Sequence, residues 1–372
     1  MRRNSNSLIG LKYLVNYHRL TGNTYLGACL DGKFQFITKL ALIVWNLLLL
    51  AQIGWHFHME YQWSSQGNNS TLGLNGTDLN ESPKSKNRLI DVLNAIRSLS
   101  YSSQSFIIFV YLMVRGEKIL QSVKDCHQLV TISTKDEKRI GLFIALIQFC
   151  YACAFNLFHF VTHYEFDKVQ ISIALHIQFT SSFFLLFNTQ LTILSLIAYQ
   201  SSIVSRKLAE MSKCLTINTN LKTSYLFISH LSHTIKRTDS LISVYNAIAL
   251  AFNTLNCISF LCVIAVDIES IGIFVSALLE SLSVLMILCL VSDMIPRTYS
   301  EFVFNLNKTF TEYSVENASN LMYIRVILNH MNDIKHEMGF TAYNLFFVNT
   351  NTFLSCMTLI LSYSVILIQT YK

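Results

Sequence analysis

Charge, proline and glycine are all scarce in this 372-residue sequence: 13% of residues are charged, and there are only two prolines and 12 glycines. Soluble domains carry about 25% charged residues, and such a low charge content argues against an ordinary soluble fold. The lack of helix breakers lets long apolar runs continue as uninterrupted helices and excludes a low-complexity or linker-rich chain. Neither Gly-x-Ser-x-Gly nor His-Glu-x-x-His occurs, so no catalytic constellation is legible and no enzyme or cofactor is expected. The opening residues run into mixed polar sequence instead of an apolar stretch ending in small residues, which predicts no cleavable signal peptide. What the chain has in abundance is apolar surface: 52% of its residues are hydrophobic, and its mean hydropathy is +0.41. The lipid bilayer is the expected environment. The net charge of +6 is dispersed among loops flanking apolar spans, so membrane topology accounts for it better than nucleic acid.

Seven stretches supply the roughly 20 mostly apolar residues that a hydrocarbon core requires: residues 36–55, 89–114, 140–161, 169–199, 244–266, 271–291 and 342–370. The expected fold class is therefore an all-α membrane protein with seven transmembrane helices, forming one domain over residues 1–372. The fourth stretch is too long for a simple span, and its part near 191–199 is expected to continue as helix beyond the membrane. The seventh is interrupted by Asn349-Thr350-Asn351-Thr352. This reads as a short cytoplasmic helix followed by a true span over 353–370. Residues 200–241 and 296–340 carry apolar side chains at helical spacing, among them Leu321, Ile324, Ile327, Leu328 and Met331, which predicts helical cytoplasmic extensions.

Lysine and arginine set the orientation. Twenty-two flank one set of span ends and four the other: Lys84, Lys86, Arg88 and Lys168. The richer set belongs in the cytoplasm together with the amino terminus, and an odd number of crossings leaves the carboxyl terminus outside. Asn68, Asn69, Asn75 and Asn80 each begin an Asn-x-Ser/Thr sequon. All four lie in the loop 57–88 that the charge count already places outside, and they are candidate glycosylation sites. The sequons at Asn307 and Asn317 fall on the inner side and read as accidental. None of the nine cysteines lies in an outer loop, which excludes an extracellular disulfide framework; Cys153 and Cys262 read as small apolar packing residues.

Polar groups inside spans are expensive and mark cavities. The outer halves of the spans carry Asp91, Asn94, Arg97, His159, His163, His176, Ser276 and Glu280, with Tyr101, Phe155, Phe158 and Phe179 available as apolar walls for a small organic molecule. His159 and His163 are four apart on one helical face, as are the ligands of a two-histidine zinc site. No fixed third ligand accompanies them, so no metal is expected. His230 and His233 are judged alike.

The carboxyl end reads Gly339-Phe340-Thr341-Ala342-Tyr343-Asn344-Leu345-Phe346-Phe347 and, further on, Ser362-Tyr363-Ser364-Val365-Ile366-Leu367-Ile368-Gln369-Thr370. This resembles the signature of the insect gustatory receptor family. There a Phe-Thr/Ser-Ala segment precedes a last helix closed by Thr-Tyr, five mostly apolar residues and Gln-Phe. Here Ser362 stands for Thr, Ser364 interrupts the apolar five and Thr370 replaces Phe. Motif-level resemblance is confined to residues 339–370.

The resemblance implies a gustatory receptor in the plasma membrane of a sensory neuron dendrite, working as a tastant-gated, non-selective cation channel. It implies a tetramer, of one chain or of related receptor subunits, around a pore lined by the last helix. Gln369 then sits near the outer gate, with Ile366 one turn below and Thr370 beside it. Its implied partner is a small-molecule tastant, which makes the polar residues above ligand-binding candidates. Sugar-sensing members often carry an acidic residue where this chain has Ser364, so a bitter or plant-derived compound is expected ahead of a fructose-like nutrient. An insect odorant-receptor-like channel is the alternative. A G-protein-coupled receptor fits less well, since it places its amino terminus outside, and this chain lacks an Asp-Arg-Tyr-like motif and Asn-Pro-x-x-Tyr.

Overall fold

The computed structural model describes residues 8–20, 51, 82–130, 132–166, 173–215, 221–266, 271–313 and 318–370. Within them the chain is almost wholly helical. In order come α1 (Ile9–Leu20), α2 (Ser82–Leu129), α3 (Thr134–Phe166), α4 (Ile173–Lys213), α5 (Leu221–Val266), α6 (Ile271–Tyr313), α7 (Ala318–Ile334), a 3₁₀ turn (Lys335–Glu337), β1 (Thr341–Ala342), β2 (Phe346–Phe347) and α8 (Thr350–Thr370). The first expected span, 36–55, lies outside the described residues apart from the helical Ala51, as do Asn68, Asn69, Asn75 and Asn80.

Four described helices are long and apolar enough to cross a membrane, in α3, α5, α6 and α8. The expected spans 89–114 and 169–199 fall on α2 and α4. α2 is diluted there by Arg97 and the polar residues Ser98, Ser100, Ser102, Ser103, Gln104 and Ser105. Helix lengths exceed what a bilayer needs. At about 1.5 Å per residue a helix crosses a core of about 30 Å in 20 residues, whereas α2, α4, α5 and α6 have 48, 41, 46 and 43. Each is therefore about twice as long as a single crossing requires. α4 is one continuous helix through 191–199, and α6 runs through Pro296. α7 is a separate helix within the expected helical stretch 296–340, with Ile327, Leu328 and Met331 buried.

α5 is the hub, packing against α2, α6, α7, α8 and β1. Its buried positions form one broad face that runs the length of the helix, among them Ile235, Ile242, Tyr245, Ala249, Cys257 and Phe260. Around it α4 packs on α3 and α6, and α1 lies along α3. The α1–α3 contact is backbone to backbone. A Cβ on Gly141 would lie 2.1 Å from the Gly10 carbonyl oxygen, and one on Gly10 would lie 2.2 Å from that of Glu137. With both glycines in place, Leu11, Leu14 and Val15 become fully buried, and the Gly10 N–H donates to Glu137 Oε1 at 2.9 Å. This amphipathic amino-terminal helix is an addition to the seven expected spans.

Several polar side chains pair with one another inside the bundle. His18 is fully buried, its Nε2 is 2.7 Å from Ser195 Oγ, and burial pushes its imidazole down to about 3, so it stays neutral. Tyr17 donates to Asn188 Oδ1 at 2.6 Å. Tyr299 donates to the Met331 carbonyl at 2.7 Å, joining α6 to α7. Of the two cysteines read as packing residues, Cys262 is buried and Cys153 is exposed. Cys153 belongs to an α3 surface with Phe149 and Leu157, 48% and 65% exposed. An apolar surface of that kind suits lipid, so small size gained Cys153 no place in the core.

Candidate pore helix and its hairpin

The segment before the last helix departs from the expected short cytoplasmic helix. Residues 341–347 fold as a two-stranded antiparallel hairpin pairing Thr341 with Phe347 and Ala342 with Phe346. Tyr343 and Asn344 carry positive φ of 51° and 58°, and the Leu345 N–H donates to the Ala342 carbonyl at 2.9 Å. Two left-handed central residues make a hairpin turn whose twist matches its strands, and asparagine tolerates that conformation better than most residues. Helical apolar spacing is overruled by tertiary bonds. Asp239 on α5 accepts from the Thr341 N–H at 2.6 Å and from its hydroxyl at 2.7 Å. Asn246 Nδ2 donates to the Thr341 carbonyl at 2.9 Å, and the Tyr343 N–H donates to the Ser243 carbonyl at 2.9 Å. Phe340, Ala342 and Val348 are buried beneath it.

The polar run from Asn349 to Thr352 begins α8 instead of interrupting it. Asn349 Oδ1 accepts the Thr352 N–H at 3.0 Å, while the Asn349 N–H faces Thr352 Oγ1 at 3.4 Å. This is the reciprocal geometry of a capping box, with threonine in the place usually held by Glu or Gln. Thr350 Oγ1 adds a bond to Asp293 Oδ2 on α6 at 2.8 Å.

α8 is sparsely covered, with only Ile360 and Ser364 buried. Phe353, Cys356, Met357 and Leu367 are half-buried on the same side, where α8 packs against α5 and α6. At about 100° per residue, the opposite face carries Asn351, Ser355, Thr358, Ser362 and Gln369, all exposed. Val365 and Ile366 straddle the same line between Ser362 and Gln369 and supply its apolar level; they are 50% and 55% exposed. Ser355 and Thr358 donate to the carbonyls of Asn351 and Leu354, both at 3.0 Å, which leaves their oxygen lone pairs outward. Thr370, also exposed, donates to the Ile366 carbonyl at 2.8 Å. The three expected pore residues thus lie on exposed surface of one helix end, Gln369 and Ile366 near the stripe and Thr370 to one side. Ser355, Thr358 and Ser362 continue that line and are not among the expected pore residues, although their three- and four-residue spacing is visible in the sequence.

The candidate ligand contacts spread over four helices. Asp91, Asn94, Arg97 and Tyr101 are carried by α2, His159 and His163 by α3, His176 and Phe179 by α4, and Ser276 by α6; their side chains lie outside the described set. Of the others, Glu280 is buried on α6 and Phe155 is half-buried on α3, its ring 4.6 Å from that of Tyr151. Tyr151 is hydrogen-bonded to Ser283, one turn from Glu280, so α3 and α6 meet at this level. Phe158 is 43% exposed. His230 and His233 are exposed on α5, and no metal-holding cluster of histidine, cysteine or carboxylate occurs among the described residues.

No family model matches the sequence, and no curated protein matches it. Solved structures do match the fold. The insect olfactory receptor OR5 from Machilis hrabei superposes with a TM-score of 0.62 at 12% identity over 97% of each chain. The same receptor in complex with eugenol gives a TM-score of 0.66 at 12% identity, again over 97% of each chain. Over nearly its whole length, the chain is a helical membrane protein with the fold of an insect olfactory receptor.

Proposed function

We propose that this chain is a chemoreceptor that opens a cation path when a small organic molecule binds, with α8 lining that path in an assembly of several copies, expected to be four. The observation that carries the reading is the polar stripe of Asn351, Ser355, Thr358, Ser362 and Gln369 on the bare side of an otherwise apolar helix. Serine, threonine and amide oxygens facing a shared axis replace part of a cation's hydration without binding it strongly enough to trap it, and an apolar ring of Val365 and Ile366 closes such a path by dewetting. A lipid-facing helix gains nothing from aligning Ser355, Thr358 and Ser362 in the interior of such a span.

The fold likeness favours an odorant-receptor-like channel, and a receptor of that fold is described in complex with eugenol. A gustatory receptor for bitter or plant-derived compounds is the second reading, favoured by Phe340-Thr341-Ala342 and by Gln369 closing the last helix. In either case the amino terminus is cytoplasmic, the loop 57–88 is external and glycosylated at one or more of Asn68, Asn69, Asn75 and Asn80, and the membrane is the plasma membrane. Asp91, Asn94, Arg97, Tyr101, Phe155, Phe158, His159, His163, His176, Phe179, Ser276 and Glu280 form the pool from which the ligand contacts are drawn.

The test is whole-cell recording from cells lacking G-protein signalling, challenged with eugenol, bitter compounds and sugars. Wild-type chain should give ligand-evoked cation current, and Gln369→Arg, which adds a positive charge in every copy, should reduce it about tenfold or more by electrostatic exclusion. Responses that require G proteins, or currents indifferent to Gln369→Arg, would sink the channel reading.

A further inference from the structure

A buried carboxylate grips the hairpin between α7 and α8, at the end of the pore helix where the chain enters it. Asp239 is 9% exposed and spends both oxygens on one residue: Oδ1 on the Thr341 N–H at 2.6 Å and Oδ2 on its hydroxyl at 2.7 Å. Two further α5 groups reinforce the grip, since Asn246 donates to the Thr341 carbonyl and Ser243 accepts from the Tyr343 N–H. From Thr341 to α8 the chain has little slack. The Val348 N–H closes back on the Phe340 carbonyl at 2.9 Å, and the capping box of Asn349 and Thr352 follows at once. Gly339 seals the base, for a Cβ there would lie 2.9 Å from the Phe347 ring. α8 therefore cannot tilt or turn at this end unless the hairpin travels with it or the Asp239 bonds yield.

We infer that Asp239 is a positioning residue for gating, a latch that ties the hairpin at Thr341 to α5 and sets how readily α8 leaves its resting place. The inference rests on the channel reading above. It also gives Phe340-Thr341-Ala342 a physical role. Phe340 and Ala342 are buried anchors, and Thr341 offers the latch an N–H, a hydroxyl and a carbonyl together. Asp239 lies on the helix that forms the hub of the bundle and touches no part of the polar stripe. Breaking the latch should thus change the balance between closed and open states and leave the open path as it was.

Single-channel recording in planar bilayers, without ligand and with eugenol as the probe, tests this on the full-length chain. Asp239→Ala removes both bonds. Asp239→Asn is the conservative control, since its oxygen can accept the N–H and its amide can donate to the hydroxyl. Thr341→Val removes only the hydroxyl bond, and Thr341→Ser restores it. Asp239→Ala should change the open probability about tenfold or more, the scale set by hydrogen bonds to a charged group, with unitary conductance and reversal potential unchanged. Thr341→Val should shift it in the same direction by less, and both conservative variants should lie near wild type. Combining Asp239→Ala with Thr341→Val should add nothing to Asp239→Ala alone. If Asp239→Ala fails to reach the membrane, the Thr341→Val and Thr341→Ser pair carries the comparison. Wild-type openings with unaltered gating in these variants, or effects that add, overturn the latch and leave the channel reading standing. A wild-type chain that passes no current in either condition overturns the channel reading, and the latch with it.

Discussion

α5 and α8 run side by side in the same direction, tied by Asn246 to Thr341 in the hairpin that leads into α8 and, further along, by Cys262 to Ser364. Both are apolar, yet α5 is covered over a broad face, whereas α8 is covered along one line. From Ser243 onward the polar residues of α5 turn inward, with Ser243, Asn246, Asn253 and Asn256 all buried. On α8, Asn351, Ser355, Thr358, Ser362 and Gln369 turn outward in a row. Asn246 ties α5 to the Thr341 carbonyl, and a broad apolar face of the helix is buried against its neighbours, so α5 is held in place within one chain. The surface of α8 makes sense when other copies and a water-filled axis cover what this chain leaves bare.

The comparison breaks most visibly at the scaffold. Gly141→Val would drive a side chain into the Gly10 backbone, which has no room to give. A loss of about 3 kcal/mol or more is expected from overpacking at this site, read as a lowered thermal midpoint in detergent and rapid proteolysis of α1. Tyr299→Phe, which leaves the Met331 carbonyl without its buried donor, should cost about 1 kcal/mol in the same assay.

On α8 the expected pattern is reversed. Thr358→Leu and Ser362→Leu should leave the thermal midpoint within about 0.5 kcal/mol of wild type, as exposed substitutions do, and yet reduce cation current severalfold. Leu361→Ala, on the flank, should affect neither. If the stripe variants unfold the protein or the flank variant blocks current, the division between scaffold and pore helix is wrong.

The smallest effect belongs to Lys236 and Glu337, whose partly exposed ion pair spans 2.5 Å. Hydrogen bonds from Lys236 and Ser232 hold the Glu337 carboxyl below its ordinary value. The depressed value means its contribution is present above the usual carboxylate range and is lost as pH falls through the lowered one. Glu337→Gln should therefore cost at most about 0.5 kcal/mol near neutral pH, and less in acid, by thermal melts at two pH values.

Apolar runs of span length disclose the long helices, because burial in lipid or in a bundle demands unbroken hydrophobic sequence whatever the neighbours. The continuity of α4 through 191–199 and the buried side of α7 are legible for the same reason. The hairpin is not. Ala342, Leu345, Phe346 and Phe347 have helix-compatible spacing, and what bends them back is Asp239 and Asn246, about a hundred residues earlier in the chain. Asn344 is a local sign of a turn, and Asn349 with Thr352 of a helix start. α1 escapes a search for spans because 12 residues are too few to cross a bilayer, and its burial depends on the facing glycines. Gln369 and Ile366 are reached through a motif, whereas the rest of the stripe follows from helical geometry alone.

The central claim is that the bare face of α8 meets water and ions. Single cysteines at Ser355, Thr358, Ser362 and Gln369, each in a background whose own cysteines do not react, can be exposed to a charged thiol reagent during current recording. The account predicts that Ser355→Cys, Thr358→Cys, Ser362→Cys and Gln369→Cys are modified and lose current, while Leu354→Cys and Leu361→Cys are spared. Stripe positions that resist the reagent while the channel conducts, or flank positions that react equally, would contradict it.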